Sequence, residues 1–405
     1  MVRDKLTIIK VLYARPHIGG SGLSGTDLAL ELAKIGHEVH IVSYPNTYLT
    51  PEQAKLINIH SAPDFSYFGF KIAPVTLTFP GIIRLIAEEK GIDVLHAHYG
   101  VPHGEAVIDA RDIIIRDMDR GKLPNNRRKP IVVISNRGTD ISINGYEPVL
   151  APGIGLHLSK ADGITFVSAS LQEEAKKIFD LDDYGIVIPN FVNEEIFKRS
   201  DSDVVGKRLR KQLGIPTGAV VFYHISNFRQ VKNVDVIIEA YNELINQLNL
   251  TNTRLLMIGD GPEKINAENK VKKYGLFSYV IFTGTIPPEE VIDYTQVGEV
   301  LVLPSIEDAC PRAALEAMHL GNAILAANSC GLPEIVQHGL NGYLLDPHDA
   351  HGLARYMLKL ANDRSLMKRM GASGKEIVGT KFNRRRIFKQ YEELYYQLLN
   401  ETNAT

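Results

Sequence analysis

At 405 residues, with 44% hydrophobic and 23% charged side chains, the chain has the length of two domains and the composition of an ordinary soluble globular protein. Its net charge of −2, from 45 basic and 47 acidic side chains, argues against a general binder of nucleic acid or another polyanion. The only cysteines, Cys310 and Cys330, form no CxxC pair and no His/Cys cluster, so no disulfide framework or zinc site is implied.

The chain opens with "LTIIKVLYA", an apolar run of strand length behind Arg3, Asp4 and Lys5, which reads as a first strand and not a signal peptide. No run of eighteen apolar residues follows anywhere, so no spanning helix is expected and a cytoplasmic location follows by default. The glycine loop "GGSGLSG" comes next, then a helix with Leu28, Leu32 and Ile35 on one face and Gly36 as its stop. Further strands are "HEVHIVSY", "DVLHAHY", "PIVVIS" and "GITFVSAS". The polar stretch from Asn190 to Gly214 breaks the rhythm, as a boundary does. The rhythm restarts at "AVVFYHIS". A helix follows with Val234, Ile237, Ile238, Tyr241, Leu244 and Ile245 in one apolar stripe, and then the strands "RLLMIG", "YVIFTG", "EVLVLPS" and "NAILAA". The amphipathic "NRRRIFKQYEELYYQLL" has no strand after it.

Strand, loop, helix and strand in alternation mark parallel sheets with helices on both faces. The expected fold is α/β, with two Rossmann-like doubly wound domains facing a cleft: residues 1–193, then 194–382, with a final helix at 383–405. In such sheets ligands bind beyond the carboxyl ends of the strands, which selects the loops to inspect.

"GGSG" precedes a helix, where backbone N–H groups can meet an anion, although a tight turn that merely needs glycine explains it too. In "ISNFRQVKN", Arg229 and Lys232 stand three apart at a helix mouth and suit a diphosphate, the alternative being a solvated loop with incidental charges. "MIGDGP" reads as turn chemistry. In "IEDACPRAALEAM", Pro311 suits the first position of a helix. The N–H groups of Arg312 and Ala313 would then point towards an anion, with Glu316 accepting from a diol and Asp308 from a second sugar-like group. Capping by Asp308 and a surface Glu316 is the alternative. "HAHYGVPHG" offers His98, Tyr99 and His103 past a strand end, while His96 reads as a core histidine bonded to backbone. "NRGTDI" offers Arg137 and Thr139.

Taken together these loops resemble the retaining glycosyltransferases of family 4, with the GT-B fold. The likeness covers nearly the whole chain and is most specific from Glu299 to Pro347. Within the family, "GGSGLSGTDL", "HAHYGVPHG", "NRGTDI", "VIPNF" and "HISNFRQVK" are similar to patterns of the bacillithiol-synthesis enzymes that join N-acetylglucosamine to L-malate. The resemblance implies sugar transfer from a nucleotide sugar: the UDP-linked donor is a substrate, and no metal or cofactor is implied. Arg229 and Lys232 would hold the diphosphate, Glu316 the ribose, and Asp308 the donor sugar, with Arg312 and Ala313 at the phosphate-binding helix start. Gly20 would let backbone approach the phosphate. Ser21, Tyr99, His103, Arg137 and Thr139 would face the acceptor, and the final helix would cross back onto the first domain.

Three features depart from the family pattern. Asp308 stands where Glu is usual, Arg137 stands where His is usual, and "RDIIIRDMDRGKLPNNRRKP" is long and basic. Arg137 suits a carboxylate or phosphate on the acceptor. The basic segment is read as a solvated excursion, with peripheral membrane contact through residues 120–129 as the alternative. The acceptor is expected to be a small anion such as L-malate. The alternatives are an inositol phosphate, a lipid-linked sugar or an envelope glycan, and, in another class, a sugar-nucleotide-binding protein without transfer activity. A homo-oligomer is left open.

Overall fold

The computed structural model describes residues 5–15, 20–63, 75–124, 128–197, 202–287 and 290–404. Gly19 of the glycine loop and Arg127 of the basic segment lie outside them. The chain divides into two compact units, Met1–Asn190 with Arg385–Thr405, and Phe191–Arg384.

Unit 1 is built on seven strands: β1 (Thr7–Val11), β2 (Glu38–Ser43), β3 (Asn58–Ser61), β4 (Val94–Ala97), β5 (Ile131–Asn136), β6 (Gly163–Phe166) and β7 (Ile186–Val187). They lie in the order β3-β2-β1-β4-β5-β6-β7, all pairs parallel. β1, β4 and β5 are buried along almost their whole length, which is why they read as continuous apolar runs.

Unit 2 has six: β8 (Val220–Ile225), β9 (Thr253–Ile258), β10 (Val280–Gly284), β11 (Val300–Leu303), β12 (Ala323–Ala327) and β13 (Gly342–Leu345). Their order is β10-β9-β8-β11-β12-β13, again all parallel. In each sheet the order reverses beside the first strand, between β1 and β4 and between β8 and β11. Ligand crevices form at such switch points.

The stripe Val234, Ile237, Ile238, Tyr241, Leu244 and Ile245 is buried in the core of unit 2, as its spacing predicts. The first helix, Gly20–Lys34, buries Leu28 and Leu32, but Ile35 is exposed. Ile35 follows the last helical residue, and Gly36 at φ +108° turns the chain away, so the helical register no longer applies there. Helix Glu105–Asp119 takes up the start of the basic segment, and Arg128 pairs with Asp93 at 3.5 Å.

The last helix, Arg384–Ala404, packs on unit 1 with Ile387, Tyr391, Tyr395 and Leu399 buried. Beneath it lies a polar layer. His96 Nδ1 meets the Tyr395 hydroxyl at 2.6 Å and the fully buried Lys10 Nζ at 2.9 Å. His96 Nε2 meets Ser135 Oγ at 2.7 Å, which meets Thr165 Oγ1 at 2.7 Å. His96 is thus a core histidine, but its partners are side chains and not backbone. Burial, followed by the charge of Arg137, holds the Lys10 amine well below its ordinary range.

Candidate active site

In unit 2 the sequence candidates gather on the loops after β8 and β11. Lys232 Nζ donates to Asp308 Oδ2 at 2.7 Å, and both side chains are largely enclosed. The two loops are also joined through backbone, Ile306 N–H to Val231 carbonyl at 2.9 Å. Arg229 is exposed and donates from Nε to Asn227 Oδ1 at 3.3 Å. Helix Arg312–Leu320 starts one residue later than the sequence suggests: Pro311 is its N-cap, with extended backbone and no side-chain cap bond. Asp308 therefore does not cap it, being committed to Lys232. Arg312 and Ala313 occupy the first two helical positions, while the N–H of Ala314 is already taken by the Pro311 carbonyl at 3.1 Å. The Arg312 side chain folds back onto Glu316, Nε to Oε1 at 3.4 Å, so Glu316 is a half-buried ion-pair member and not a surface residue.

Two supports of this loop set escaped sequence reasoning. His224 donates from Nδ1 to the Val302 carbonyl at 2.8 Å, and its Nε2 accepts from Ser226 Oγ at 2.8 Å. Ser226 Oγ in turn accepts the Phe228 N–H at 3.2 Å, which ties the cationic loop to β11. Gly259 and Gly261 of "MIGDGP" do more than turn. They have φ +122° and +156°, and a Cβ at either would stand 1.9 and 2.0 Å from the carbonyls of Ser226 and Asn227. The loop after β9 thus rests against the loop that carries Arg229.

In unit 1 the candidates gather after β1, β4 and β5. Gly20 is exposed, and a Cβ there would meet no protein atom within 4 Å. The glycines enclosed by the protein are Gly22, whose Cβ would stand 2.3 Å from the Tyr13 carbonyl, and Gly25, 2.7 Å from the His98 ring. Half-buried Tyr99 and Thr139 join through their hydroxyls. Ser21 is half-buried and its carbonyl accepts from Ser24 Oγ at 3.0 Å. Arg137 donates from Nη2 to Ser24 Oγ at 2.8 Å and to Asn190 Oδ1. His103 is fully buried behind Tyr13, Tyr44 and Phe79, with Nε2 3.2 Å from the Tyr44 hydroxyl. It therefore supports these rings from behind and does not face a ligand as expected. Burial pushes its pKa down to about 3.

Asp140, quoted within "NRGTDI" but not singled out there, anchors both loops. Its carboxylate accepts the N–H groups of Arg137 at 3.0 Å, Gly138 at 2.7 Å and Gly100 at 2.8 Å. Burial raises its pKa against the pull of those bonds. Among the described residues no group of three His, Cys, Asp or Glu side chains is arranged to hold a metal, and no helix is long and apolar enough to cross a membrane.

Residues 18–196 match the model of Glycosyltransferase Family 4, and residues 206–377 that of glycosyl transferases group 1. The first half of the chain thus carries a family 4 glycosyltransferase domain and the second half a glycosyl transferases group 1 domain. This glycosyltransferase is 29% identical over 386 residues to the N-acetyl-alpha-D-glucosaminyl L-malate synthase of Bacillus anthracis, covering 95% of this chain and 96% of that one. It is 25% identical to the D-inositol 3-phosphate glycosyltransferase of Corynebacterium glutamicum strain R, covering 95% and 93%. Among solved structures it is similar to Anabaena HepE in complex with UDP and glucose, at TM-score 0.78 and 18% identity, covering 96% and 99%. That likeness shows the shared GT-B fold.

Proposed function

We propose that this glycosyltransferase moves a sugar such as N-acetylglucosamine from a UDP-linked donor to a small anionic acceptor such as L-malate, with retention at the anomeric carbon and without a metal. The observation that carries the donor half is the Lys232–Asp308 pair beside the Arg312–Glu316 pair, next to the switch point of unit 2. Breaking the glycosyl–phosphate bond builds negative charge on the diphosphate, which Arg229, Lys232 and the helix start at Arg312 and Ala313 would stabilise. The acceptor oxygen forms the new bond to the anomeric carbon and its proton passes to the departing phosphate oxygen. Asp308 and Glu316 would read sugar and ribose hydroxyls, and Gly20 would admit the phosphate to a helix start.

For the acceptor half, Arg137 offers a guanidinium on the loop after β5, with Ser21, Tyr99 and Thr139 supplying hydroxyls nearby in unit 1. The Bacillus relative is named for L-malate, which supports a carboxylate at Arg137. The Corynebacterium relative supports a second reading, in which an inositol phosphate takes that place.

Product formation from UDP-N-acetylglucosamine should be followed with L-malate, with an inositol phosphate and with no acceptor, each with and without chelator. A malate-dependent α-glycoside, unchanged by chelator, is the expected result. Transfer to the inositol phosphate alone would replace the acceptor. UDP binding without turnover of any donor would leave a sugar-nucleotide-binding protein.

A further inference from the structure

Two polar contacts of the Arg137 side chain involve residues that the reaction outlined above does not use. Nη2 of the guanidinium has two N–H groups, and both have protein acceptors, Ser24 Oγ at 2.8 Å and Asn190 Oδ1. These come from opposite ends of unit 1 in sequence: Ser24 from the first helix, and Asn190 from the last residue before the chain passes to unit 2. Two anchors on one nitrogen fix the plane of the guanidinium, so its positive charge is presented to an anion in one defined orientation.

Ser24 is itself held. It is fully buried, and its Oγ lies 3.0 Å from the Ser21 carbonyl, 2.8 Å from Arg137 Nη2 and 3.1 Å from His98 Nε2. A hydroxyl has one proton and two lone pairs. The Ser21 carbonyl can only accept, so it takes the proton. Arg137 can only donate, so it takes one lone pair. The second lone pair is filled when His98 presents Nε2–H. Every position on Ser24 is then satisfied, and the tautomer of His98 is set. His98 is held in turn by its backbone N–H, which donates to the Val11 carbonyl at 2.9 Å, and by Gly25, which leaves no room for a side chain against the ring.

We propose that Ser24 and Asn190 are positioning residues that aim the Arg137 guanidinium at the acceptor's anionic group, with His98 in its Nε2–H tautomer locking Ser24. This rests on the assignment of Arg137 to the acceptor. Burial, reinforced by the charge of Arg137, keeps His98 neutral, so the lock holds through the ordinary working pH range.

Steady-state kinetics with UDP-N-acetylglucosamine and L-malate test the proposal. Ser24→Ala and Asn190→Ala should each raise the acceptor KM by about tenfold, the scale of one hydrogen bond to a charged group, while the donor KM stays within about twofold. On an Arg137→Ala background the same two changes should add nothing further, since residues that act through one group are not additive. A merely structural role would lower the active fraction without separating the two KM values. Asn190→Ala, on a different segment, keeps the test open if Ser24→Ala folds poorly. If Arg137→Ala raises the acceptor KM and neither positioning change does, the proposal is overturned while the assignment of Arg137 stands. If Arg137→Ala leaves the acceptor KM unchanged, or the wild-type enzyme uses neither malate nor an inositol phosphate, the assignment fails and the positioning claim with it.

Discussion

His103 and His224 are enclosed so fully that burial holds their pKa values at about 3 and about 4. In the unfolded chain both titrate near 6.5, so between those values the unfolded state binds protons that the folded state refuses. Stability is therefore undiminished above about pH 6.5 and is lost progressively as pH falls towards the folded values. His96 and His98 are depressed in the same direction by burial and neighbouring cations, and they add to the slope. From pH 7 to pH 4.5, His103 alone should cost on the order of 2–3 kcal/mol, at about 1.4 kcal/mol per unit. Melting temperature against pH should fall steeply over this range, and His103→Gln should flatten the curve. A His103→Gln curve parallel to wild type would remove His103 as a cause. At this scale, sequence motifs located residues better than they assigned duties. "HAHYGVPHG" drew attention to His103, but only packing reveals that Tyr13, Tyr44 and Phe79 enclose it. Asp140 lay unremarked within a quoted motif because its duty is to three backbone N–H groups, which no side-chain pattern announces.

Among the elements, the loops after β8 and β9 act as one piece. Gly261→Ala would place a Cβ about 2.0 Å from the Asn227 carbonyl at a backbone φ of +156° that side chains avoid, so the loop carrying Arg229 must shift. The expected effect is a donor KM raised by about tenfold or more, given that small misplacements of a charged clamp are costly, with the acceptor KM little changed. Equal donor KM values for variant and wild type would show that the loop yields freely. "MIGDGP" was legible as a turn and illegible as a buttress, because the second depends on where a different loop passes. The strands divide along the same line. The ten read from apolar runs are all present, whereas β3, β7 and β13 were not anticipated. All three lie at sheet edges: β3 and β7 are partly exposed and carry no continuous apolar run, β7 being two residues long, while β13 is a short buried run, GYLL, that directly follows a loop. Pro311 shows the ordinary uncertainty of a helix boundary, one residue from its expected place.

For the molecule as a whole, the division into two compact units predicts separate unfolding transitions. Tyr395→Phe removes one hydroxyl from His96 Nδ1 while leaving Lys10 in place. By calorimetry it should weaken the transition of unit 1 by about 1–2 kcal/mol, the scale of a buried hydrogen bond lost on one side. The transition of unit 2 should stay where it is. A shift of both together would mean that the units unfold as one. The alternation of strands and helices made the double architecture readable, and the amphipathic pattern after Asn383 announced a last helix. The polar layer under that helix was not readable, because Lys10 and His96 look like interruptions of apolar strands until Tyr391 and Tyr395 are set above them.

That layer also imposes an order on synthesis. His96 and Tyr395 are separated by 299 residues, which a ribosome takes roughly 15–60 s to add. For the later part of that interval, while unit 2 is being made, the floor beneath the last helix is complete but uncovered. An apolar floor would invite aggregation with neighbouring nascent chains. The floor is instead polar: Lys10, His96, Ser135 and Thr165, which anchor the finished helix directly or through one another, can hydrogen-bond to water until their cover arrives.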